Sequence, residues 1–185
     1  MPQICGEILK KLPIVRFDLY NKKENTFLIK TNQINDVLIL LKTHFRYQCK
    51  VLTCVSGVDF PENQHRFQIT YELISLQYNI RLKIKILTDE LNLIDSSENV
   101  FIGASWWECE IWDMFGVFFK NQYNLTRLLT DYGFKGHPLR KDFPLSGFTE
   151  VRYNTAKNRV AYENVELSQE YRIFDLESPW RVFAR

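Results

Sequence analysis

Residues 66–88 read RFQITYELISLQYNIRLKIKILT, and this stretch decides the fold. Apolar side chains alternate with polar ones over 66–76 and again, with basic residues between them, over 79–88, which predicts two half-buried strands. Only a short link separates the strands, so we expect them to pair antiparallel. The positions expected to face the core are Phe67, Ile69, Tyr71, Leu73, Leu82, Ile84 and Ile86.

The sequence on either side of this hairpin predicts further strands and three helices. Strands are predicted over 14–20, 26–30 and 50–58, and helices over 3–12, 32–45 and 105–114. Asn32 is the expected N-cap of the second helix, and Gly116 is the expected C-terminal glycine of the third. The order is α-β-β-α-β-β-β-α. Because the strands come in groups, it indicates an α+β fold with a mixed, largely antiparallel sheet.

The C-terminal part of the chain has a different character. After Thr130 helical periodicity is absent, glycine and proline are frequent, and only two short strands are predicted, over 150–153 and 159–162. Aromatic residues are nevertheless spread through the segment, which is not typical of a disordered tail. Apolar surface of this kind commonly marks an interface. We therefore expect an α+β body at 1–130 and an extended segment at 131–185 that wraps a partner subunit.

Composition excludes several classes of protein. The chain has 185 residues, of which 45% are hydrophobic and 25% charged, as in an ordinary globular protein. A net charge of +2 argues against nucleic-acid binding. No apolar run approaches the roughly 20 residues of a membrane-spanning helix. Residues with AT-rich codons far outnumber those with GC-rich codons, which suggests an organellar or AT-rich bacterial genome.

The cysteines and the N-terminus bear on compartment and cofactors. Cys5, Cys49, Cys54 and Cys109 include no C-x-x-C pair, so we expect free thiols in a reducing compartment. Residues 1–11 resemble neither a secretory signal nor an import presequence, which favours synthesis inside an organelle. Nucleotide-binding glycine loops, a nucleophile elbow and histidine metal motifs are absent from the sequence. We expect neither a metal nor a cofactor in this chain.

The densest acidic cluster lies in WECEIWDMFG, residues 107–116. On a helix Glu110 and Asp113 are neighbours, whereas Glu108 lies about 200° from Glu110 around the axis. A general acid and base need two carboxyls that converge on one substrate. The tryptophans around the cluster are expected to pack in the core, so a structural role is favoured. Ion pairs with a partner are the next alternative, and catalysis is a remote one.

A second dense stretch, residues 127–147, reads RLLTDYGFKGHPLRKDFPLSG. Its basic residues could bind phosphate or RNA, but acidic residues nearby nearly balance them. We interpret the stretch as a charge-paired, turn-rich loop that fixes the path of the chain. The residues singled out here are Arg127, Asp131, His137, Pro138, Arg140, Lys141, Asp142 and Pro144.

The 107–116 stretch, followed by LTDYGFKGHPLRKDFPLSGFTEVRY at 129–153, resembles the 30-kDa subunit of respiratory complex I, the NADH dehydrogenase subunit 9 family. A weaker likeness extends the match to about residues 50–180. The resemblance implies a non-catalytic core subunit in the quinone-reducing module of the peripheral arm of proton-pumping NADH:ubiquinone oxidoreductase. Such a subunit packs chiefly on the 49-kDa subunit and is needed for assembly and stability of the module.

The same resemblance implies where the redox chemistry lies. NADH, FMN, the iron–sulfur clusters and ubiquinone belong to other subunits, and this chain is expected to carry none of them. It is expected in a hetero-oligomer at the matrix side of the mitochondrial inner membrane, touching the membrane only through the complex. The alternative location is the cytoplasmic face of a bacterial plasma membrane. Glu108, Glu110, Asp113 and the eight residues of the second stretch then become interface or structural residues.

Two positions depart from the family pattern. Cys109 stands where the family has arginine between the two glutamates. Gln122 begins the run QYNLTR where the family usually has His-Pro-Asp-Leu-Arg-Arg. Contacts made by that arginine and histidine in relatives are expected to differ here.

The rival interpretations of the whole sequence are a small RNA-binding protein and a hydrolase that uses His137 with Asp131 or Asp142.

Overall fold

A computed structural model of the chain describes residues 14–21 and 24–174. The helix predicted over 3–12 lies outside the described residues. Two α-helices are described, α1 (Ile34–Thr43) and α2 (Ala104–Phe115). The strands are β1 (Ile14–Asn21), β2 (Glu24–Ile29), β3 (Val51–Asp59), β4 (Phe67–Ser75), β5 (Ile80–Thr88), β6 (Ile94–Asp95), β7 (Phe119–Lys120), β8 (Thr149–Asn154) and β9 (Arg159–Asn164).

Five of these strands form one sheet in the order β1-β2-β5-β4-β3. Three neighbouring pairs are antiparallel and β2–β5 is parallel, because the chain crosses over through α1, β3 and β4 between those two strands. The short pairs β6–β7 and β8–β9 form separate two-stranded sheets. The α+β class with a mixed, largely antiparallel sheet is therefore confirmed.

The register of the sheet places the predicted apolar positions on one face. Tyr71 lies opposite both Ile84 and Val55, and Ile84 also lies opposite Phe27. Helix α1 adds its own apolar stripe to the same core cluster. All seven positions named from the alternation of β4 and β5 are at most 2% exposed, so this prediction is confirmed.

Helix α1 begins differently from the prediction. Asn32 is not the N-cap; residues Thr31–Gln33 form a 3₁₀ turn and Gln33 precedes the first helical residue without a side-chain cap. The turn is held by tertiary contacts instead. The Thr31 hydroxyl donates to the carbonyl of Leu87 (3.1 Å), and the Asn35 amide donates to the carbonyl of Ser96 (3.0 Å). Such contacts override local capping preference and are not encoded in the neighbouring sequence.

Helix α2 packs closely on β3 at Gly57. A Cβ at this position would lie 3.0 Å from two ring carbons of Phe115, so the absence of a side chain permits the approach. The predicted end of the helix is confirmed, since Gly116 follows it in the left-handed conformation with φ of 78°. This packing fixes the helix that carries the acidic cluster.

The chain divides into two compact units, Met1–Phe143 and Pro144–Arg185. The first unit includes residues 131–143, because that loop is hydrogen-bonded to helix α2 and the sheet. The expected division at Thr130 stays a prediction. The second unit contains the β8–β9 hairpin at the two predicted short strands. That this later segment wraps a partner stays a prediction. Within the described ranges, no helix is long and apolar enough to cross a membrane.

Candidate functional site

Asp113 anchors the loop that follows helix α2. Its side chain is fully buried and accepts hydrogen bonds from the amides of Leu128 (3.2 Å), Leu129 (2.8 Å) and Thr130 (3.0 Å). The Thr130 hydroxyl (2.6 Å) and the Arg127 guanidinium (3.0 Å) also donate to it. Burial alone would raise the pKa of Asp113, but these donors outweigh it and lower the pKa to about 2. The group is a structural anion at neutral pH.

Arg127 closes the loop from its other side. The Nη1 atom that binds Asp113 also donates to the carbonyl of Gly136 at 2.9 Å. The guanidinium lies 5.4 Å from the ring centroid of Trp112, within cation–π distance. One arginine thus joins the helix to both ends of the 127–136 segment.

The next part of the loop caps the C-terminus of α2. The last carbonyls of a helix lack partners within the helix. Here His137 Nδ1 donates to the carbonyl of Asp113 (3.0 Å), the Leu139 amide to Met114 (3.1 Å), and Arg140 Nε to Phe115 (2.7 Å). A cation at this end also complements the helix dipole.

The approach of this loop depends on Gly116. A Cβ there would lie 2.5 Å from Arg140 Nη2 and 2.6 Å from the His137 ring.

Burial lowers the pKa of His137, and the positive charge of nearby Arg140 lowers it further. The neutral imidazole therefore carries its proton on Nδ1, from which it donates to the Asp113 carbonyl. His137 and Pro138 are half-buried, as is Pro144, whose carbonyl accepts from the Gly147 amide in a turn.

A charge network ties the loop to the sheet. Arg66 binds the buried Asp59 through two nitrogens (2.7 and 2.9 Å), Asp142 (2.8 Å) and Glu90 (3.1 Å). Glu90 also binds Arg140 at 3.0 Å. The hydrogen bond from Arg66 lowers the pKa of Asp59, and it likewise lowers the pKa of Asp142.

The backbone of Lys141 completes this network, since its amide donates to Asp59 at 2.8 Å while the residue itself is exposed. Sequence reasoning missed Asp59, Arg66 and Glu90, which lie far from the loop in the chain. Asp59 and Arg66 do lie within residues 50–180, over which the weaker part of the family resemblance extends, in the stretches SGVDFP (56–61) and RFQITYELIS (66–75). That signal could have identified them.

Glu108 serves the opposite side of α2. Its fully buried carboxyl accepts from the Ser96 hydroxyl (2.7 Å), the Ser97 amide (2.8 Å) and the Ser97 hydroxyl (2.7 Å). Burial raises the pKa of Glu108, and these donors only partly offset it. Sequence reasoning missed the role of these two serines as partners of Glu108.

The three carboxylates of the acidic cluster do not converge. Glu108 accepts hydrogen bonds from residues 96–97, and Asp113 accepts them from residues 127–130. Glu110, which lies between the two in sequence, is half-buried. Asp131 is exposed, and its carboxylate accepts from the Tyr132 amide. The rival hydrolase would use His137 with Asp131 or Asp142. In the structure, however, His137 Nδ1 donates to the Asp113 carbonyl, and the Asp142 carboxylate accepts from Arg66. The geometry favours a structural cluster over a catalytic one.

The two positions that depart from the family pattern contact each other. Gln122 Nε2 donates to Cys109 Sγ at 3.1 Å and to the Ser105 carbonyl at 2.9 Å. The Cys109 thiol donates to the Asn124 carbonyl at 3.3 Å. The cysteine and the glutamine therefore form one local unit that holds residues 122–124 against α2.

Not every tryptophan of the cluster packs as expected. Trp106 is 70% exposed and Ile102, just before the helix, is 85% exposed, whereas Trp107 and Trp112 are partly buried. The expectation of packing is thus wrong for Trp106. In the described part of the chain, no group of three or more His, Cys, Asp or Glu residues could hold a metal ion.

Comparison with known proteins gives a consistent result. The profile of the family described as the respiratory-chain NADH dehydrogenase 30-kDa subunit matches residues 27–149. NADH-ubiquinone oxidoreductase subunit 9 of Prototheca wickerhamii is 47% identical over 166 residues, covering 90% of this chain and 86% of that protein. NADH dehydrogenase [ubiquinone] iron-sulfur protein 3 of Solanum tuberosum is 47% identical, covering 84% and 82%.

Among solved structures, a chain of the membrane-bound sulfane sulfur reductase, an archaeal respiratory membrane complex, superposes with a TM-score of 0.67. The match covers 78% of this chain and 85% of that chain at 21% sequence identity. At that identity the likeness establishes a shared fold alone.

Proposed function

This chain belongs to the 30-kDa subunit family of respiratory-chain NADH dehydrogenase, and from that premise we propose its role in the complex. It is a non-catalytic core subunit of the peripheral arm of NADH:ubiquinone oxidoreductase, in the quinone-reducing module. Its chief partner is the 49-kDa subunit, and it is needed for assembly and stability of the module. The observation that carries this proposal is the 46–48% identity to named complex I subunits over 84–90% of the chain.

The site geometry supports a scaffolding role. Asp113, Arg127 and the Asp59–Arg66 pair are saturated by contacts within the chain, which leaves them few bonds for a substrate. Their combined effect is to fix residues 127–142 on the end of α2 and on the sheet. Within this fixed loop Tyr132 is 100% exposed, and Tyr123, which precedes the loop in sequence, is 97% exposed. Large exposed side chains on a rigid frame are typical of a contact surface for another protein.

The cysteines in the described part of the chain do not fit an iron–sulfur cluster, although some relatives carry that term in their names. Clusters are held by thiolates that converge on the iron atoms. Cys49 is buried, and burial raises its pKa to about 11, which opposes thiolate formation. The Cys109 sulfur is hydrogen-bonded to Gln122 and to the Asn124 carbonyl, and Cys54 lies on β3. We propose that the cofactors reside in other subunits. Iron and acid-labile sulfide in a purified preparation of this chain alone would overturn that statement.

The proposed location is the mitochondrial inner membrane, on its matrix side, with an organellar gene. Support comes from the codon bias of the composition and from relatives named NADH-ubiquinone oxidoreductase subunit 9 in Prototheca wickerhamii and Reclinomonas americana. Subcellular fractionation with protease protection tests it. Fractionation with a bacterial plasma membrane would favour the alternative location.

The decisive experiment for the partner is purification of the tagged chain in mild detergent, followed by cross-linking and mass spectrometry. We expect quinone-module subunits in stoichiometric amounts, with the most cross-links to the 49-kDa subunit. Recovery of the chain without any subunit of NADH:ubiquinone oxidoreductase would refute the function. Recovery of the complex with cross-links concentrated on another subunit would refute only the choice of partner.

A further inference from the structure

The first turn of helix α2 presents large apolar side chains to solvent. Trp106 is 70% exposed, and Ile102, just before the helix, is 85% exposed. The Ala104 amide donates to the carbonyl of Phe101 (2.8 Å) and the Ser105 amide to that of Ile102 (3.4 Å), so a turn of the chain leads directly into the helix. Residues four apart in such a turn are neighbours on one face. Ile102 and Trp106 therefore form a continuous exposed surface.

Tyr123 is held beside this surface. Gln122 Nε2 donates to the Ser105 carbonyl at 2.9 Å and to Cys109 Sγ at 3.1 Å. The Cys109 thiol donates to the Asn124 carbonyl at 3.3 Å. The residues before and after Tyr123 are thus tied to α2, although Tyr123 itself is 97% exposed. A side chain on a fixed backbone loses less conformational freedom when it binds a partner.

Ile102, Trp106 and Tyr123 together are called the α2 patch below. At about 150–250 Å² for a large side chain, the three present on the order of 500 Å² of mostly apolar surface. A patch of that size on a globular protein is commonly functional. Tryptophan and tyrosine are also the residue types that contribute most to binding energy at protein interfaces. The α2 patch therefore has the composition of a binding surface for another protein.

The charge on this part of the chain is one-sided. Residues 89–119 contain seven acidic residues and no basic residue. Five of the seven have partners or neighbours that account for them: Asp89 has His65, Glu90 has Arg66 and Arg140, Asp113 has Arg127, Glu108 has Ser96 and Ser97, and Asp95 lies opposite Lys120. In the part of the chain that the structure describes, Glu98 and Glu110 form no ion pair. Both are partly exposed.

These two glutamates flank the α2 patch. The Glu98 carboxylate accepts from the Tyr123 amide at 3.4 Å, which places it on the Tyr123 side. Glu110 follows Trp106 by four residues on the same helix, so the two are neighbours on its surface. Lys42 of helix α1 lies over the Phe101 ring and donates to the Val100 carbonyl rather than to either glutamate. The patch thus combines exposed aromatic rings with carboxylates that lack a cation.

Arginine is the side chain that complements this arrangement. Its planar guanidinium stacks on an indole ring and binds a carboxylate through several N–H groups, whereas the ammonium of lysine acts as a point charge. A cation over the Trp106 ring is within one helical turn of Glu110. Anionic lipid and nucleic acid are disfavoured, because Glu98 and Glu110 repel phosphate. The charge of the patch therefore selects a basic protein segment.

We propose that the α2 patch receives an arginine-bearing segment of another protein subunit of the complex. The guanidinium lies between Trp106 and Glu110, and the apolar side chains of the segment rest on Ile102 and Tyr123. This inference rests on the proposed function, because it assigns one contact within the assembled complex.

The first test is photo-cross-linking inside the whole complex. Benzoylphenylalanine replaces Trp106 in one preparation and Leu76, a 78% exposed residue in the link between β4 and β5, in the control. After irradiation of the purified complex, we expect position 106 to attach to one other subunit, within about five residues of an arginine, at least tenfold more than position 76 attaches to that segment. Attachment of position 106 to lipid, to a second copy of this chain, to a segment without arginine, or to nothing would each overturn the proposal.

The second test exchanges the charges. Glu110→Arg should reduce incorporation of the chain into the complex at least tenfold, whereas Glu62→Arg, at an exposed acid in the β3–β4 loop, should leave it within twofold. Replacement of the cross-linked partner arginine by glutamate should restore the Glu110→Arg chain at least fivefold, which a folding defect would not allow. Loss without restoration, or no loss, would refute the α2 patch and leave the proposed function intact. Absence of the wild-type chain from the complex would refute the proposed function itself.

Discussion

The most informative substitution is Asp113→Asn on helix α2. The side chain keeps its size, but one carboxylate oxygen becomes an NH₂ group that faces hydrogen-bond donors. Backbone amides and a guanidinium cannot reverse their role, so at least one donor of residues 127–130 is left against another donor. The variant should therefore release the 127–136 loop without disturbing the packing of the helix.

The free-energy cost of the Asp113→Asn substitution follows from the lowered pKa of Asp113 and from the hydrogen bonds that its carboxylate accepts. The pKa of Asp113 is about 2 instead of 3.8, which corresponds to about 2 kcal/mol in favour of the ionised form. Because the folded pKa is lowered, this stabilisation is complete above pH 3.8 and is lost as the pH falls through 2. Removal of one partner from a buried ion pair costs about 3–5 kcal/mol. We expect Asp113→Asn to cost about 3 kcal/mol at neutral pH.

The assay is amide hydrogen exchange of peptides from residues 127–136 in the purified complex. A cost of about 3 kcal/mol raises the population of the open loop, and so the exchange rate, by about 100-fold. Glu110→Gln on the same helix is the matched control and should leave the rate within twofold. Exchange of the Asp113→Asn loop within threefold of wild type would refute the assignment of Asp113 as the anchor.

Four further predictions address other parts of the account. Glu108→Gln should be tolerated to within about 1 kcal/mol at neutral pH, because the Ser96 hydroxyl can reverse and accept from the new amide. Since the folded pKa of Glu108 is raised, its contribution is complete below pH 4.5 and is lost as the pH rises through the folded pKa; melting curves against pH should show this fall only with glutamate. Gly116→Ala should cost at least about 1–2 kcal/mol through its left-handed backbone, and an unchanged melting temperature would contradict this. Asp59→Asn should cost about 3 kcal/mol by breaking the bidentate pair with Arg66, visible as faster exchange of residues 137–142. The chain expressed without partners should aggregate or be degraded, and a soluble, protease-resistant monomer would be the opposite result.

Local patterns predicted the sheet well. The alternation in β4 and β5 identified the buried face, because one register of a half-buried strand satisfies the hydrophobic pattern and a shift by one residue inverts it. Gly116 likewise marked the end of α2, since few residues other than glycine adopt a left-handed conformation. These two signals depend only on residues that are close together in the sequence. They can therefore be recognised without knowledge of the tertiary structure.

The site was predictable only in part. The interpretation of residues 127–147 as a charge-paired, turn-rich loop stays a prediction. In the structure, Arg127 and Thr130 of this stretch donate to Asp113, which lies outside it on helix α2. Which charges pair was not predictable, because Asp59 and Lys141 are 82 residues apart and meet only when β3 lies beside α2. The prediction of the N-cap of α1 was wrong for the same reason. The hydrogen-bond partners of Thr31 and Asn35 lie in distant segments of the chain.

The central claim is membership in the assembled oxidoreductase, and separation of detergent-solubilised membranes on a native gel tests it most directly. An antibody to this chain should detect it in the band that carries NADH dehydrogenase activity, and depletion of the chain should remove that band. Detection of the chain only at low mass, with the activity band unchanged after depletion, would contradict the account.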